Sequence, residues 1–382
     1  IIGAGQFNSA SATYSGVVAG YANTSSGCYS IIGGGRGNVA SAFYAIIGAG
    51  GFNTASGSCS IVGSGERNRA TNGWTAVLGG CSNCATGIFS MIGGGCGNKG
   101  EGYASFIGGG VNNDMGFFSN DYAIVVGGKD NSAKGCYSIV VGGQSNTISG
   151  RYGCHNFMGG GSGNTLSGNY HRCNILVGGQ SNTILNNISS GSYKTSTAVL
   201  VGGKSNTLGC GDTISIESPV LVGGSCNYNS GAFSGIVAGQ SNCIIGGLTG
   251  SGYISCGWQF IGGGQSNVVV GTFSSVVGGQ NNCATGCHSS VVGGLYNCAT
   301  GECSFVGGGC ANSATGINSA ILGGSNNIAN QSYSGVFGCG ITTVMACAFH
   351  VNRIVLTNVP TASAGLPSGA VWSDSGTLKI VP

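Results

Sequence analysis

Residues 275–304 contain two near-copies of one unit, SVVGGQNNCATGCHS at 275–289 and SVVGGLYNCATGECS at 290–304. Aligned on Asn282 and Asn297, the two copies are shifted by fifteen residues. The same Asn, with a Gly three residues earlier, recurs 20 times, and 13 of the 19 spacings between successive copies have this same length. A period this regular predicts a stack of equivalent structural units.

We call the repeated Asn the ladder asparagine and count positions from it, so that its Gly stands at −3. Position −6 is always aliphatic or Met, and position −8 is most often Ser. The ladder asparagines are Asn8, Asn23, Asn38, Asn53, Asn68, Asn83, Asn98, Asn113, Asn131, Asn146, Asn164, Asn182, Asn206, Asn227, Asn242, Asn267, Asn282, Asn297, Asn312 and Asn327. A twenty-first turn is expected to follow, with Thr342 in the Asn position.

The unit predicts an all-β fold. Fifteen residues are too few for a strand–helix repeat, and the 80 Gly residues among 382 oppose helix, because Gly costs about 1 kcal/mol relative to Ala inside one. The chain is 41% hydrophobic, which is enough to bury a core. We therefore expect a parallel β-solenoid (a β-roll or β-helix) over residues 1–345, with coils of about 15 residues and a capping segment over 346–382.

The ladder asparagines are predicted to be structural. In stacked coils, equivalent side chains lie about 4.8 Å apart. Amide side chains at that spacing can bond the turn backbone and one another along the axis. This role is assigned to the Asn copies in the regular coils rather than a role in ligand binding.

The quoted stretch also looks like a metal site, because it contains Cys283, Cys287, His288, Cys298 and Cys303. Neighbouring positions on a strand point to opposite faces, so these side chains cannot all converge on one ion. No metal and no cofactor is predicted, and the 19 cysteines are interpreted mainly as small, partly apolar fillers. A disulfide between Cys283 and Cys298, which stack in adjacent coils, remains an alternative.

Charge argues against several functions. Twelve basic and nine acidic residues give a net charge of +3, too small and too dispersed to predict nucleic-acid binding. No apolar run reaches the roughly 20 residues of a membrane span, so membrane insertion is not predicted. The carboxylates form no obvious acid–base pair, which predicts a non-catalytic protein. A glycan-cleaving tailspike is the alternative, if folding brings Asp212 and Glu217 near another acid.

Positions −7 and −5 should form the outer face of the strand, yet they are apolar. Where position −5 is Gly, position −7 is often large, as in Ile31 with Gly33. Where position −5 is aliphatic, position −7 is often small, as in Ser275 with Val277. Shared volume is typical of packed cores, so we expect this face to be buried against another copy of the chain. Three copies around an axis, or two, would achieve this.

The pattern YSIIGGGRGNVASAFYAIIGAGGFNTASGSCSIVGSGERN at residues 29–68 resembles the head repeats of trimeric autotransporter adhesins, and similar repeats occur in phage tail fibres. The resemblance covers roughly residues 1–340 and implies a left-handed parallel β-roll with three chains around an axis. This chain differs in its 15-residue period and its ladder asparagines. Ordinary parallel crossovers are right-handed, so both hands stay open.

The C-terminal segment differs from the repeats. Ala370–Ser373 and Thr377–Val381 predict a hairpin across Asp374, Ser375 and Gly376. The segment looks like the terminal segment of phage fibre proteins, whereas the adhesins end in a stalk and membrane barrel. The expectation is a homotrimeric, non-catalytic tail fibre of a phage or virus, located in the virion and used for host attachment. A bacterial cell-surface adhesin is the alternative.

The receptor-contacting surface is expected mid-fibre. All six spacings longer than the regular one fall between Asn113 and Asn267, and extra residues should leave the stack as loops. Such loops could contact a host-surface glycan or protein receptor, or they could only pad the rod. The candidate binding residues are Tyr152, His155, Tyr170, His171, Tyr193, Lys194, Tyr253 and Trp258.

Overall fold

The computed structural model describes residues 1–116, 122–150, 155–167, 173–185, 197–209, 218–246 and 257–381. In these ranges the chain is all-β, without helix, and forms a parallel β-solenoid of about 20 coils. The predicted fold class is confirmed at this level. No helix in these ranges is long and apolar enough to span a membrane.

Two sheets run along the solenoid, and in each of them a strand pairs in parallel with the equivalent strands of the coils before and after it. Sheet 1 holds the strands that start directly after a ladder asparagine. Its strands are Ser9–Ala10, Thr24–Ser25, Val39–Ala40, Thr54–Ala55, Arg69–Ala70, Cys84–Ala85, Lys99–Gly100, Asp114–Met115, Ser132–Ala133, Thr147–Ser149, Thr165–Ser167, Thr183–Leu185, Thr207–Leu208, Tyr228–Asn229, Cys243–Ile244, Val268–Val269, Cys283–Ala284, Cys298–Ala299, Ser313–Ala314 and Ile328–Ala329.

Sheet 2 holds the strands that start at position −7 and the two C-terminal strands that extend them. Its strands are Gly16–Val17, Ile31–Ile32, Ile46–Ile47, Ile61–Val62, Ala76–Val77, Met91–Ile92, Phe106–Ile107, Ile124–Val125, Ile139–Val140, Phe157–Met158, Ile175–Val177, Val199–Val201, Val220–Val222, Gly235–Ile236, Phe260–Ile261, Ser275–Val276, Ser290–Val291, Phe305–Val306, Ala320–Ser325, Gly335–Cys339 and Phe349–Val351. A third row of single parallel bridges joins the residues at position −2, beginning with Gln6, Tyr21 and Arg36.

The core of the solenoid is formed by two positions of the repeat, −6 on sheet 2 and +2 on sheet 1. Both are fully buried, as Ile47 and Ala55 illustrate in one region of the stack. The strands are mostly two or three residues long, so each coil contributes about one side chain from each sheet. The core is therefore a continuous column of aliphatic side chains between the sheets.

The six long coils differ from the regular coils at position +2. Regular coils carry mostly Ala there, whereas every long coil carries a large, fully buried apolar residue. These residues are Met115, Ile148, Leu166, Ile184, Leu208 and Ile244. Larger side chains at the core position therefore accompany every insertion, a correlation present in the sequence that the sequence analysis missed.

The residue type at position −8 also differs between the long coils and the regular coils. In regular coils this buried residue is Ser or Thr, except Ala45, and it closes a tight turn: the Ser30 backbone N–H and hydroxyl both donate to the carbonyl of Gly27, at 3.1 and 2.6 Å. Long coils carry other residues here. Asn174 Oδ1 accepts the Ala198 N–H at 2.9 Å, and Gln259 Nε2 donates to Ile245 O at 3.0 Å. Amide side chains thus stand in two long coils at the position where regular coils carry a Ser or Thr hydroxyl.

Placing a small residue at position +2 of a long coil, or a large residue at position +2 of a regular coil, should destabilise that coil. Leu166→Ala in a long coil removes a fully buried side chain and is expected to cost about 2–5 kcal/mol of unfolding free energy. Ala299→Leu overfills a regular coil and is expected to cost about 1–3 kcal/mol. Hydrogen exchange of the neighbouring strand amides measures both. If the larger residue were accommodated without loss, the two coil types would not differ in core volume.

The solenoid ends in a shortened coil. Asn327 Oδ1 accepts the N–H of Ile341 at 3.0 Å, so the last coil has 14 residues, and Thr342 does not occupy the predicted ladder position. Parallel pairing continues past residue 345, because Phe349–Val351 extends sheet 2. Beyond it, Val371–Asp374 and Thr377–Ile380 form a separate antiparallel pair with the register expected of a hairpin.

Candidate functional site

The ladder asparagines form a continuous buried row of hydrogen bonds. Asn282 is representative: its Oδ1 accepts the backbone N–H of Asn297 at 2.9 Å, and its Nδ2 donates to two carbonyls, Gly278 O at 3.0 Å and Gly294 O at 2.9 Å. Each amide thereby ties its own coil to the next one. Both Nδ2 hydrogens and the Oδ1 of each such amide serve the backbone of neighbouring turns, which is a structural role.

The Gly at position −3 is required by this row. Gly279 has φ +87°, and a Cβ at this position would lie under 3.0 Å from Asn282 Nδ2 and from the carbonyl oxygen of Gly294. The carbonyl of the next coil and the ladder amide occupy the space of a side chain. The Gly at position −3 and the ladder asparagine therefore form one structural unit, which explains why they recur together in every copy of the repeat.

Most of the predicted loop residues lie outside the described ranges, namely Tyr152, Tyr170, His171, Tyr193, Lys194 and Tyr253. His155 and Trp258 lie inside them, at the last corner before sheet 2. The ring of His155 stacks on Tyr137 with centroids 5.0 Å apart, and that of Trp258 stacks on Phe233 at 5.1 Å. These two residues thus belong to a structure on the coil itself.

That structure is an aromatic column at position −9. Residues here adopt a left-handed backbone conformation with positive φ, which is uncommon for bulky side chains. Tyr14, Tyr29 and Tyr44 stack with centroids 4.9 and 5.0 Å apart, and Trp74 stacks on Phe89 at 5.1 Å. Since the rings face one another along the axis, their faces are largely used within the column. The sequence signal was an enrichment of aromatic residues at one position of the repeat.

The outer face of sheet 2 forms an exposed apolar stripe, which we call the outer stripe. It runs over nearly the whole solenoid, with Val18 at 60%, Ile31 at 48% and Val277 at 52% exposure. Its other exposed members include Ile46, Ile61, Leu78, Phe106, Val126, Val141, Ile175, Val177, Val201, Val220, Val222, Val237, Phe260, Val292 and Leu322. A single chain leaves this stripe in contact with water.

A large side chain at position −7 goes with Gly at position −5, and contacts within a single chain explain this pairing. The Phe157 ring lies over Gly159, where an added Cβ would meet the ring at 3.4 Å, and Phe305 lies over Gly307 in the same way. A large residue at one position therefore covers the Gly at the other without a partner. The exposure of the outer stripe, and not the compensation of volume, is therefore the feature that indicates a partner.

The outer face of sheet 1 is different. Its positions +1 and +3 carry mainly Ser, Thr and charged residues, for example Thr147, Thr165 and Thr183, which stand directly opposite one another in successive coils. The exposed large apolar residues on this face, among the described residues, are Tyr228, Ile245 and Ile328. The two sheets therefore present a polar side and an apolar side to solvent.

Two disulfides link adjacent coils within the ranges that the structure describes. One joins Cys283 to Cys298 on sheet 1, the alternative that the spacing left open, and the other joins Cys81 to Cys96 in the row at position −2. Burial raises the pKa of the thiol of Cys84 and also that of Cys243. These two thiols stay protonated near neutral pH and are poor nucleophiles.

Acidic groups are scattered. Within the described ranges, Glu66 pairs with Arg67 at 2.9 Å, Asp114 with Lys134 at 3.5 Å, and Asp374 pairs with Lys379. Asp212 and Glu217 lie outside these ranges. The same stretches of chain contain no group of three His, Cys, Asp or Glu side chains able to hold a metal ion.

No protein-family model fits the chain, and no curated protein matches its sequence.

Proposed function

We propose that this chain is a homotrimeric structural fibre that a phage or virus uses for host attachment and that has no catalytic activity. The outer stripe carries the proposal. An apolar strip along one side of a rod, with a polar side opposite, is the surface expected of a protein that buries one face against copies of itself. Three chains with their outer stripes at a common axis would present the polar sheet 1 to the surroundings.

Other features support a fibre with mainly mechanical tasks. Coils held by backbone pairing and by the ladder asparagines give a rod of about 100 Å, if 21 coils rise by about 4.8 Å each. The disulfides between adjacent coils are typical of proteins that work in oxidising surroundings, such as virion or cell surfaces. We also propose that the coil is left-handed, as the resemblance to the adhesin repeats implies. An electron-density map of the fibre at side-chain resolution would decide the hand.

A charge placed in the outer stripe tests the assembly. Native mass measurement should show a trimer for the unmodified chain. Val277→Glu, combined with Val292→Glu in the next coil, should shift the protein to monomers, because buried unpaired carboxylates are costly. The matched control is Thr285→Glu with Thr300→Glu on the polar face, which should remain trimeric. A stable monomer of the unmodified chain would remove the basis of the proposal.

The C-terminal segment is proposed to cap the stack. The last coil would otherwise end in unpaired backbone, which invites end-to-end association. Ile354, Val355 and Leu356 are exposed in one chain, which supports a segment that packs in the assembly. A chain ending at Val351 should therefore form large aggregates in the same mass measurement, whereas soluble trimers of normal mass would refute the cap.

A further inference from the structure

We infer that the first five coils carry a binding site for a carboxylate-bearing saccharide, centred on Arg36. The inference deepens the proposed attachment function by naming a ligand class. It does not involve the mid-fibre loops.

The site is a stack of aromatic rings and guanidinium groups at the corner formed by positions −2 and −1. Arg36 lies between the rings of Tyr21 and Phe52, with its Cζ 5.6 and 5.7 Å from their centroids. The stack continues on both sides, because Phe7 packs edge-on against Tyr21 at 5.4 Å and Arg67 lies 6.0 Å from the Phe52 ring. Five successive coils thus contribute one group each.

The stack depends on a glycine, because the absence of a side chain at residue 37 leaves room for the Phe52 ring. Gly37, next to the central Arg, has φ +66°, and an added Cβ there would lie 2.8 Å from Phe52 Cδ1. The ring therefore occupies the space that a side chain at this position would need. The Phe52 ring lies on one side of the Arg36 guanidinium, and the Tyr21 ring from the preceding coil lies on the other.

A guanidinium that lies between two rings can still bond through its edge. Its N–H groups lie in the plane of the group, and two of them match the two oxygens of a carboxylate. Arg36 is exposed, and it takes part in none of the ion pairs found between described residues. Arg67, by contrast, is paired with Glu66 at 2.9 Å. Among the described residues, the central Arg is thus an oriented cation that no carboxylate neutralises.

The surroundings favour a saccharide with a single acidic group. The net charge of +3 and the scattered basic residues do not provide the cluster that a phosphate backbone or another polyanion requires. Exposed rings flank the cation, with Tyr21 at 43% and Phe52 at 48% exposure, which suits the apolar C–H face of a sugar ring beside its carboxylate. The corner lies on a different row from the outer stripe, so stripe-to-stripe assembly leaves it open to ligand.

The test compares ligands that differ by one carboxylate. The intact assembly should bind 3′-sialyllactose and a glucuronate-containing tetrasaccharide of hyaluronan, or one of the two, at least about tenfold more tightly than lactose, measured by calorimetry. The pair of acidic probes separates the two sources of sugar carboxylate. Equal binding of lactose, no binding of either acidic probe, or equal binding of a short Glu peptide would overturn the inference.

Variants of Arg36 test whether the binding of the acidic probe depends on the stack. Arg36→Gln should lower the affinity for the acidic probe at least about tenfold. Arg36→Lys should also weaken it, because Lys keeps the charge but has no planar fork. The matched control is Arg69→Gln, which removes an equal charge from sheet 1 and should bind like the unmodified protein. Full affinity of the Gln variant at position 36 would overturn the assignment.

Failure of the saccharide site can be distinguished from failure of the proposed attachment function. Variants are compared only after native mass measurement shows the same assembly, so a change of affinity cannot arise from dissociation. If trimers attach to host cells equally well with and without Arg36→Gln, the saccharide site is wrong and the attachment fibre stands. If the unmodified chain is a monomer that attaches to no cell, the proposed function fails whatever the acidic probes show.

Discussion

Gly279→Ala is expected to lower the unfolding free energy of its region by about 2–5 kcal/mol. Two costs add: an L-residue at φ +87° is strained by about 1–2 kcal/mol, and the new methyl group collides with the Gly294 carbonyl and the Asn282 amide. Because the carbonyl belongs to the next coil, the clash should push the adjacent coils apart. Hydrogen exchange of the Cys283–Ala284 strand should report this locally, since long repeat arrays need not unfold as one unit.

The neighbouring Gly provides a matched control. Gly278 has no heavy atom within 4 Å of an added Cβ, and its φ lies outside the left-handed region. Gly278→Ala should therefore change the local stability by no more than about 0.5 kcal/mol. Equal effects of the two substitutions would show that loss of chain flexibility, and not the collision with the ladder, determines the outcome.

The second large effect is expected from Asn282→Ala. The substitution leaves the buried N–H of Asn297 without its acceptor and the half-buried carbonyl of Gly278 without its amide donor. The Gly294 carbonyl also loses the amide but keeps the Gln280 N–H at 2.9 Å. An unsatisfied buried N–H costs about 1–3 kcal/mol and the lost bond to the half-buried carbonyl adds about 1 kcal/mol, so the unfolding free energy of the region should fall by about 2–4 kcal/mol. Exchange of the Asn297 amide should accelerate most, because its acceptor is the removed side chain.

Asn281→Ser is the control for this variant. Asn281 stands one residue earlier, with φ 54°, and Ser266 adopts the same backbone conformation at the equivalent position of the preceding coil. A Ser there is thus already accommodated by the solenoid, and we expect a change of less than about 1 kcal/mol. If Asn282→Ala were equally mild, the ladder would not hold the coils together.

Much of the fold could be predicted from the sequence because the repeat places equivalent residues in adjacent coils. The 15-residue spacing alone indicates that Cys283 and Cys298 are neighbours, and the same reasoning applies to Cys81 and Cys96, which share position −2. The alternation of strand side chains likewise predicts that position −6 is buried and position −7 exposed, as Ile32 and Ile31 show.

The corners were not predictable in this way. At positions −9 and −1 the backbone adopts positive φ, so side-chain direction no longer follows from alternation along a strand. His155 and Trp258 were expected in loops for this reason, whereas their rings stack in the aromatic column. The Thr342 expectation failed because the final coil closes one residue early, which no preceding repeat foreshadows.

The sequence by itself determined the β-solenoid, the interior positions and the Gly–Asn unit, because a strict period and strand alternation fix which residues are neighbours along the axis and which point inward. Only the tertiary structure placed Arg36 between Tyr21 and Phe52. These three residues belong to two different positions of the repeat, −2 and −1. Their contact depends on the positive φ of Phe52 and on the space left above Gly37, which are properties of a folded corner and not of the period.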